Sequence, residues 1–133
     1  MILSCIDYRF IDNTIDFLES GPLSQKYDIT SLAGASLAYN QKKFKHWRKT
    51  FIDQLALAID LHHIKKLIVF DHMDCGAYQL FYDDLEPNSQ RERELHIKNI
   101  KKFIKKIKKI FPQLNYIGYL IHSNGKIESI YNK

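Results

Sequence analysis

A short apolar segment that runs directly into two metal-binding residues constrains this chain more than any other feature. Residues 67–70 form an uninterrupted apolar run with β-branched members, which is typical of a parallel strand buried on both faces. His72 and Cys75 follow this run, three residues apart. Because open α/β sheets bind ligands beyond the carboxyl ends of their strands, the segment predicts an α/β fold with a site at this strand end.

Two ligands cannot hold zinc, and the only other cysteine of the chain supplies a third. Cys5 follows another short apolar run, residues 1–3. If the two runs are neighbouring parallel strands, Cys5, His72 and Cys75 meet at one edge of the sheet. Two thiolates and one imidazole then make a tetrahedral zinc site with an open fourth position. Since structural zinc sites are usually closed by four protein ligands, the open position predicts chemistry.

The spacing of these residues resembles that of the β-class carbonic anhydrases. That family carries Cys-x-Asp-x-Arg followed far downstream by His-x-x-Cys-Gly, and these motifs stand here at residues 5–9 and 72–76. The Ala33-Gly34 pair and the strand-turn-strand pattern of residues 116–131 add support. The resemblance therefore spans nearly the whole chain and implies a short member of the family, truncated at its N-terminus or divergent.

The resemblance implies a zinc-dependent carbonic anhydrase (carbonate dehydratase), an enzyme that reversibly hydrates carbon dioxide to bicarbonate through zinc-bound hydroxide. By similarity, Zn²⁺ is held by Cys5, His72 and Cys75. Asp7 and Arg9 are then the catalytic pair, in which Asp7 accepts a hydrogen bond from the hydroxide and Arg9 holds Asp7 in place. In some members of the family this aspartate instead ligates the zinc, and that alternative stays open at this point.

Departures from the family pattern bear on activity and assembly. Asp71 stands where the family usually has glycine, and Tyr8 where serine is common; both are expected to add charge or bulk near the metal. The N-terminal arm that clasps a partner in the family would precede residue 1, so we expect a homodimer weaker than is usual for the family. Metal binding is expected to survive these changes better than hydratase activity.

Other polar residues have more local interpretations. Asp71 and Asp74 flank the ligands and are candidates to orient His72 by hydrogen bonding. Ser89 and Glu92 form a capping-box pattern at the start of a basic helix. His96 has no partner at ligand spacing, so we expect it to be structural or solvated.

Two other functions are compatible with the same metal centre. Carbon disulfide and carbonyl sulfide are linear electrophiles of similar size to carbon dioxide, and the same hydroxide chemistry could hydrolyse them; pocket shape would decide. A non-catalytic zinc-binding protein of the same fold is the remaining alternative. An Asp7 fixed on the zinc would favour it.

The basic excess of the chain is confined to one segment. Lys and Arg total 20 against 15 for Asp and Glu, a net charge of +5, and seven lysines fall within residues 98–109. Such a face could attract nucleic acid. No nucleic-acid recognition motif and no aromatic interleaving accompany it, so we interpret it as a solvated helix face and expect no nucleic-acid partner.

Strands alternate with helices along the chain and end in a hairpin marked by Ser123-Asn124-Gly125. This pattern predicts one zinc-binding domain over residues 1–133, with a mostly parallel β-sheet flanked by helices and an antiparallel C-terminal edge strand. No apolar run approaches the roughly 20 residues that a membrane-spanning helix needs. We therefore expect a cytoplasmic protein that does not act at a membrane.

Overall fold

The computed structural model describes residues 1–133 and contains one five-stranded sheet flanked by helices. The strands are β1 (Ile2–Ser4), β2 (Ile29–Ser31), β3 (Lys66–His72), β4 (Asn115–Ile121) and β5 (Ile127–Asn132). The helices are α1 (Ile11–Glu19), α2 (Ser36–Asn40), α3 (Lys45–His62), α4 (Gly76–Phe81) and α5 (Gln90–Ile107). A 3-10 turn over Tyr8–Phe10 leads into α1.

The order of the strands places the ends of β1 and β3 side by side. Across the sheet the order is β2-β1-β3-β4-β5. The first four strands are parallel, and β5 runs antiparallel to β4. Ile2 of β1 lies opposite Ile68 of β3, so the two parallel strands end at the same edge of the sheet. The predicted fold, a mostly parallel sheet with an antiparallel C-terminal edge strand, is confirmed.

Successive residues of β3 face two different hydrophobic cores. Leu67 and Val69 pack in a cluster with α3 and α5, whereas Ile68 and Phe70 pack in a cluster with α1. Side chains alternate between the two faces of a strand, so burial of both faces explains why residues 67–70 are all apolar. The same alternation sends Asp71 and His72 to opposite faces of the sheet.

Helix α5 packs directly against the backbone of Gly118 in β4. A Cβ placed on Gly118 would lie 2.4 Å from Cγ2 of Ile100, which is far inside van der Waals contact. The helix starts with Ser89 as its N-cap, whose hydroxyl accepts a hydrogen bond from the Glu92 amide at 3.1 Å. This arrangement brings the first turns of α5 against the loop that follows β3.

The lysine-rich face of α5 is largely exposed to solvent. Six of the seven lysines within residues 98–109 are exposed. Nζ of the half-buried seventh, Lys106, donates to Oδ1 of Asn40 at 3.1 Å. The helices also lack the combination of length and apolar character that crossing a membrane would require.

Candidate metal centre

The ends of β1 and β3 bring the three predicted ligands together. Cys5 directly follows β1, His72 ends β3, and Cys75 precedes α4. One donor atom from each of the three lies within 4.8 Å of the other two. His72 and Cys75 are buried and Cys5 is half-buried, and both cysteines are free thiols.

The imidazole of His72 is oriented as a metal ligand requires. Its Nδ1 lies 2.8 Å from the carbonyl oxygen of Met73. Because a carbonyl oxygen only accepts, Nδ1 carries a proton, and in the neutral imidazole Nε2 then carries the free lone pair. Nε2 is buried and has no hydrogen-bond partner, while the ring of Phe10 stacks on the imidazole at 4.2 Å. A buried, unpaired imidazole nitrogen beside two sulfur atoms fits a zinc site.

The backbone of the β2–α2 loop supports the sulfur of Cys5. The amide of Gly34 donates a hydrogen bond to Cys5 Sγ at 3.2 Å. Gly34 has a φ of +78°, and a Cβ there would lie 3.0 Å from that of Ala77, so only glycine lets the backbone approach this closely. The amide places a hydrogen-bond donor where a thiolate benefits from one.

The two thiols share their protons unequally. The hydrogen bond from Cys75 lowers the pKa of Cys5, with further help from His72 and the Gly34 amide. The same contact, together with burial, raises the pKa of Cys75. A metal ion bound here would therefore be held by one sulfur that ionises readily and by a second that would have to lose its proton.

Asp7 and Arg9 form the ion pair that their spacing predicts. Nε of Arg9 donates to Oδ1 of Asp7 at 3.0 Å, and Nη2 donates to Oδ2 at 2.7 Å. These hydrogen bonds lower the pKa of Asp7. Arg9 also donates to Oδ2 and to the carbonyl oxygen of Asp74, at 2.7 and 2.9 Å. A single guanidinium thus joins the loop after β1 to the loop after β3.

Asp7 lies beside the ligands without joining them. Its Oδ2 is 3.8 Å from Nε2 of His72, and both of its oxygens accept hydrogen bonds from Arg9. The group of mutually close donor atoms consists of Cys5, His72 and Cys75 and does not include Asp7. Asp7 therefore lies outside the group of three candidate ligands.

Several expectations about residues around the ligands are wrong. Tyr8 is 82% exposed and projects into solvent. Asp71 is buried on the opposite face of β3, where it accepts hydrogen bonds from Ser36 and Tyr78. Tyr8 therefore does not line the cleft beside the candidate ligands, and Asp71 adds no charge on the face of the sheet that carries His72. Nor do Asp71 and Asp74 orient His72, since the carbonyl oxygen of Met73 does so.

Two buried residues behind the ligand loop were not predicted as part of the site. Glu92 and His96 are both fully buried. The carboxylate of Glu92 accepts hydrogen bonds from the amides of Asp74 and Cys75, at 3.1 and 2.9 Å. Both residues lie on the buried stripe of α5 that continues to Ile100. Polar residues at i and i+4 on an apolar helix stripe are the signal that could have identified them.

A small apolar cleft opens beside the predicted ligands. It has a volume of about 230 Å³, and Cys5, Asp7 and His72 contribute to its wall. Its other walls are mainly apolar and include Phe10, Ile11, Ile15, Ile29, Phe70 and Ile121. A larger groove of about 480 Å³ lies between α3 and β2 and contains none of the donor atoms. The geometry thus joins a candidate metal centre to a space for a small, weakly polar molecule.

Comparison with known sequences identifies one family. The family described as "Putative carbonic anhydrase" matches residues 1–131. An uncharacterized protein of Rickettsia bellii is 39% identical over 134 residues, a match that covers 100% of this chain and 82% of that protein. An uncharacterized protein of Rickettsia conorii is 35% identical over 132 residues, covering 98% of this chain and 71% of its own length.

Comparison with solved structures shows the same fold. A tetrameric β-carbonic anhydrase of Sordaria macrospora superposes with a TM-score of 0.59 at 15% identity, covering 96% of this chain and 79% of its own. The β-carbonic anhydrase CafA of Aspergillus fumigatus gives 0.58 at 13% identity, with coverages of 99% and 76%. A carbonic anhydrase of Glaciozyma antarctica gives 0.57 at 18% identity, with coverages of 98% and 80%. At these identities the likeness establishes the fold alone.

Proposed function

This chain belongs to the carbonic anhydrase family that matches residues 1–131, and we propose that residues 1–133 form one zinc-dependent carbonic anhydrase domain that reversibly hydrates carbon dioxide to bicarbonate. The observation that carries the proposal is the convergence of Cys5, His72 and Cys75 within 4.8 Å, beside an apolar cleft that Cys5 and His72 line. The fold supports it, because β-carbonic anhydrases superpose on nearly all of the chain.

The three ligands would hold Zn²⁺ through two sulfurs and one imidazole nitrogen. Zinc bound there supplies a Lewis acid that lowers the pKa of a water molecule and so makes a nucleophile near neutral pH. The Met73 carbonyl keeps His72 in the tautomer whose Nε2 is free to bind. The Gly34 amide stabilises negative charge on the Cys5 sulfur.

Asp7 and Arg9 would orient the attacking water. The carboxylate of Asp7 lies 3.8 Å from His72 Nε2, next to the position that a metal would occupy. We assign Asp7 the role of accepting a hydrogen bond from that water. Arg9 donates to both carboxylate oxygens, which favours the ionised form of Asp7 and would keep Asp7 from binding a metal as a fourth ligand.

The cleft suits a small linear substrate. Carbon dioxide is apolar and compact, and aromatic and aliphatic side chains such as Phe10, Phe70 and Ile121 line the space beside the ligands. Carbon disulfide and carbonyl sulfide are of similar size, so the cleft volume does not separate them from carbon dioxide. Family membership favours carbon dioxide.

Stopped-flow hydration of carbon dioxide by the zinc-loaded protein tests the proposal. The wild type should accelerate hydration well above the buffer rate, and the matched variant Cys75→Ser should lose both zinc and acceleration. Carbon disulfide and carbonyl sulfide are assayed in parallel. Zinc retention without turnover of any of the three substrates would identify a non-catalytic zinc protein, and turnover of a sulfur substrate alone would replace the proposed reaction.

We also propose a homodimer. Ile6 and Tyr8, on either side of Asp7, are 62% and 82% exposed, and Ile11 at the cleft is 49% exposed. Together they present apolar surface at the edge of the site, which a second copy of the chain would cover. Sedimentation velocity at micromolar concentration should show self-association, and a strict monomer at high concentration would contradict the proposal.

A further inference from the structure

The loop that carries Cys75 is held from behind by one buried carboxylate. Oε1 of Glu92 accepts the amide of Cys75 at 2.9 Å, and Oε2 accepts the amides of Asp74 at 3.1 Å and Asn88 at 2.7 Å. We infer that Glu92 is a positioning residue that fixes Cys75 in the geometry needed to bind the metal. This inference rests on the proposed zinc site.

The shape of the loop makes it depend on this carboxylate. Asp74 has a φ of +56°, in the left-handed region, and this conformation lets two successive amides point at one anion. Two amides in a row on one carboxylate fix both the position and the direction of the Cys75 backbone. A shift of Glu92 would therefore move the Cys75 sulfur relative to His72.

Glu92 is diverted from the role that its sequence position predicts. In a capping box its side chain would accept the amide of the N-cap residue. Here the Ser89 amide instead donates to the carbonyl oxygen of Glu86 at 3.3 Å, which leaves the carboxylate free to bind the ligand loop. The buried carboxylate of Glu92 thus has three backbone amides as its hydrogen-bond donors.

His96 lies between Glu92 and β3. Its Nδ1 is 3.1 Å from Oδ2 of Asp71, which is hydrogen-bonding distance. Its Nε2 is 3.6 Å from Oε1 of Glu92, which is close enough for an ion pair but makes no hydrogen bond. Because Asp71 precedes His72 in β3, this imidazole packs between the strand end and the carboxylate that holds Cys75. The ring centroid of Tyr78 lies 3.7 Å from that of His96 and limits its movement.

Zinc affinity of Glu92→Gln tests the inference. The amide accepts through one oxygen only and turns its NH₂ group toward backbone donors. Competition against a chromogenic chelator should show zinc binding about 10- to 100-fold weaker than in wild type, as for other residues that orient metal ligands. Glu94→Gln is the matched control, because Glu94 is exposed on the same helix and its change should leave affinity unaltered.

Two further readouts separate positioning from a purely structural role. The absorption spectrum of the Co²⁺-substituted protein reports ligand geometry and should change in Glu92→Gln. The rise in melting temperature on adding zinc should shrink, since weaker binding gives less stabilisation. Glu92→Asp keeps the charge, so its zinc affinity should lie between those of the wild type and Glu92→Gln. If Glu92→Gln does not fold, the same measurements are made on Glu92→Asp.

The outcomes distinguish this inference from the proposed enzyme. Zinc affinity of Glu92→Gln within about twofold of wild type, with an unchanged Co²⁺ spectrum, overturns the inference while wild-type activity stands. Equal destabilisation with and without zinc also overturns it. A wild type that binds zinc but does not hydrate carbon dioxide refutes the enzyme and leaves the affinity test valid, whereas a wild type that binds no zinc refutes both.

Discussion

Replacing Asp7 by asparagine separates catalysis from metal binding and from folding. The amide has the shape of the carboxylate but no charge, and only its one oxygen can accept hydrogen bonds from the Arg9 guanidinium. Asp7 belongs to none of the metal-donor positions, so zinc content should stay at the wild-type value. The substitution thus removes the proposed acceptor for the attacking water and leaves the three ligands in place.

The two expected magnitudes differ widely. The side chains of Arg9 and Asp7 are 43% and 16% exposed, and ion pairs so open to solvent contribute about 1 kcal/mol or less to folding. Losing a positioned group that handles the proton costs roughly a hundredfold in rate, which corresponds to about 2.7 kcal/mol of transition-state stabilisation. Hydration should therefore fall far more than the free energy of unfolding.

Stopped-flow hydration, metal content and urea unfolding are measured on the same preparations. Asp16→Asn is the control, because Asp16 is an exposed carboxylate on α1 and its loss should leave the rate unchanged. An Asp7→Asn protein that hydrates carbon dioxide as fast as the wild type would refute the role assigned to Asp7. Loss of zinc from this variant would show that Asp7 is a ligand.

Further predictions concern the metal, the buried network and the core. Native mass spectrometry should find about one zinc per chain in the wild type and less in Cys5→Ser, because the open site has only three protein ligands; full retention would contradict this ligand set. Burial acts to lower the pKa of His96, but the carboxylates of Asp71 and Glu92 raise it above its ordinary value. Stability from His96 should be fully present below its unfolded pKa of about 6.5 and lost as pH rises through the folded pKa; an NMR titration midpoint at or below 6.5 would refute this. Gly118→Ala should lower the free energy of unfolding by about 1–3 kcal/mol through overpacking, whereas the control Gly21→Ala, whose Cβ would meet nothing closer than 3.8 Å, should not.

The fold and the convergence of the ligands follow from short-range patterns. Residues 1–3 and 67–70 are apolar runs that each lead into a possible ligand, and Cys5 and His72 meet because these two parallel strands are neighbours in the sheet. The alternation of strands with helices and the C-terminal hairpin predicted a mostly parallel sheet with an antiparallel edge strand, and this fold class is confirmed. The motifs at residues 5–9 and 72–76 identified the family in the same way.

The environment of Asp71 could have been predicted but was not. A residue next to a ligand in sequence seems close to the metal, yet side chains alternate along a strand. His72 faces the metal position, so Asp71 must face the other core, where Ser36, Tyr78 and His96 satisfy its carboxylate. The alternation of side chains along the strand, not closeness in sequence to His72, decides which face Asp71 occupies.

The role of Glu92 could not be derived from local sequence. Its contacts with Asp74 and Cys75 span 18 and 17 residues, and they depend on how close α5 lies to the loop after β3. That distance is set by packing, including the close approach of Ile100 to Gly118. The capping-box pattern with Ser89 already explained a glutamate at position 92, so nothing in the sequence indicated its contact with the loop after β3.

Titration of the metal-free protein with zinc, with carbon dioxide hydration followed by stopped flow in the same samples, tests the central claim most directly. The account predicts that the hydration rate rises in proportion to added zinc and stops rising at about one zinc per chain, because the proposed ligands Cys5, His72 and Cys75 would form a single site. A rate that stays at the buffer value after the site has filled would contradict the claim, as would hydration that does not depend on zinc.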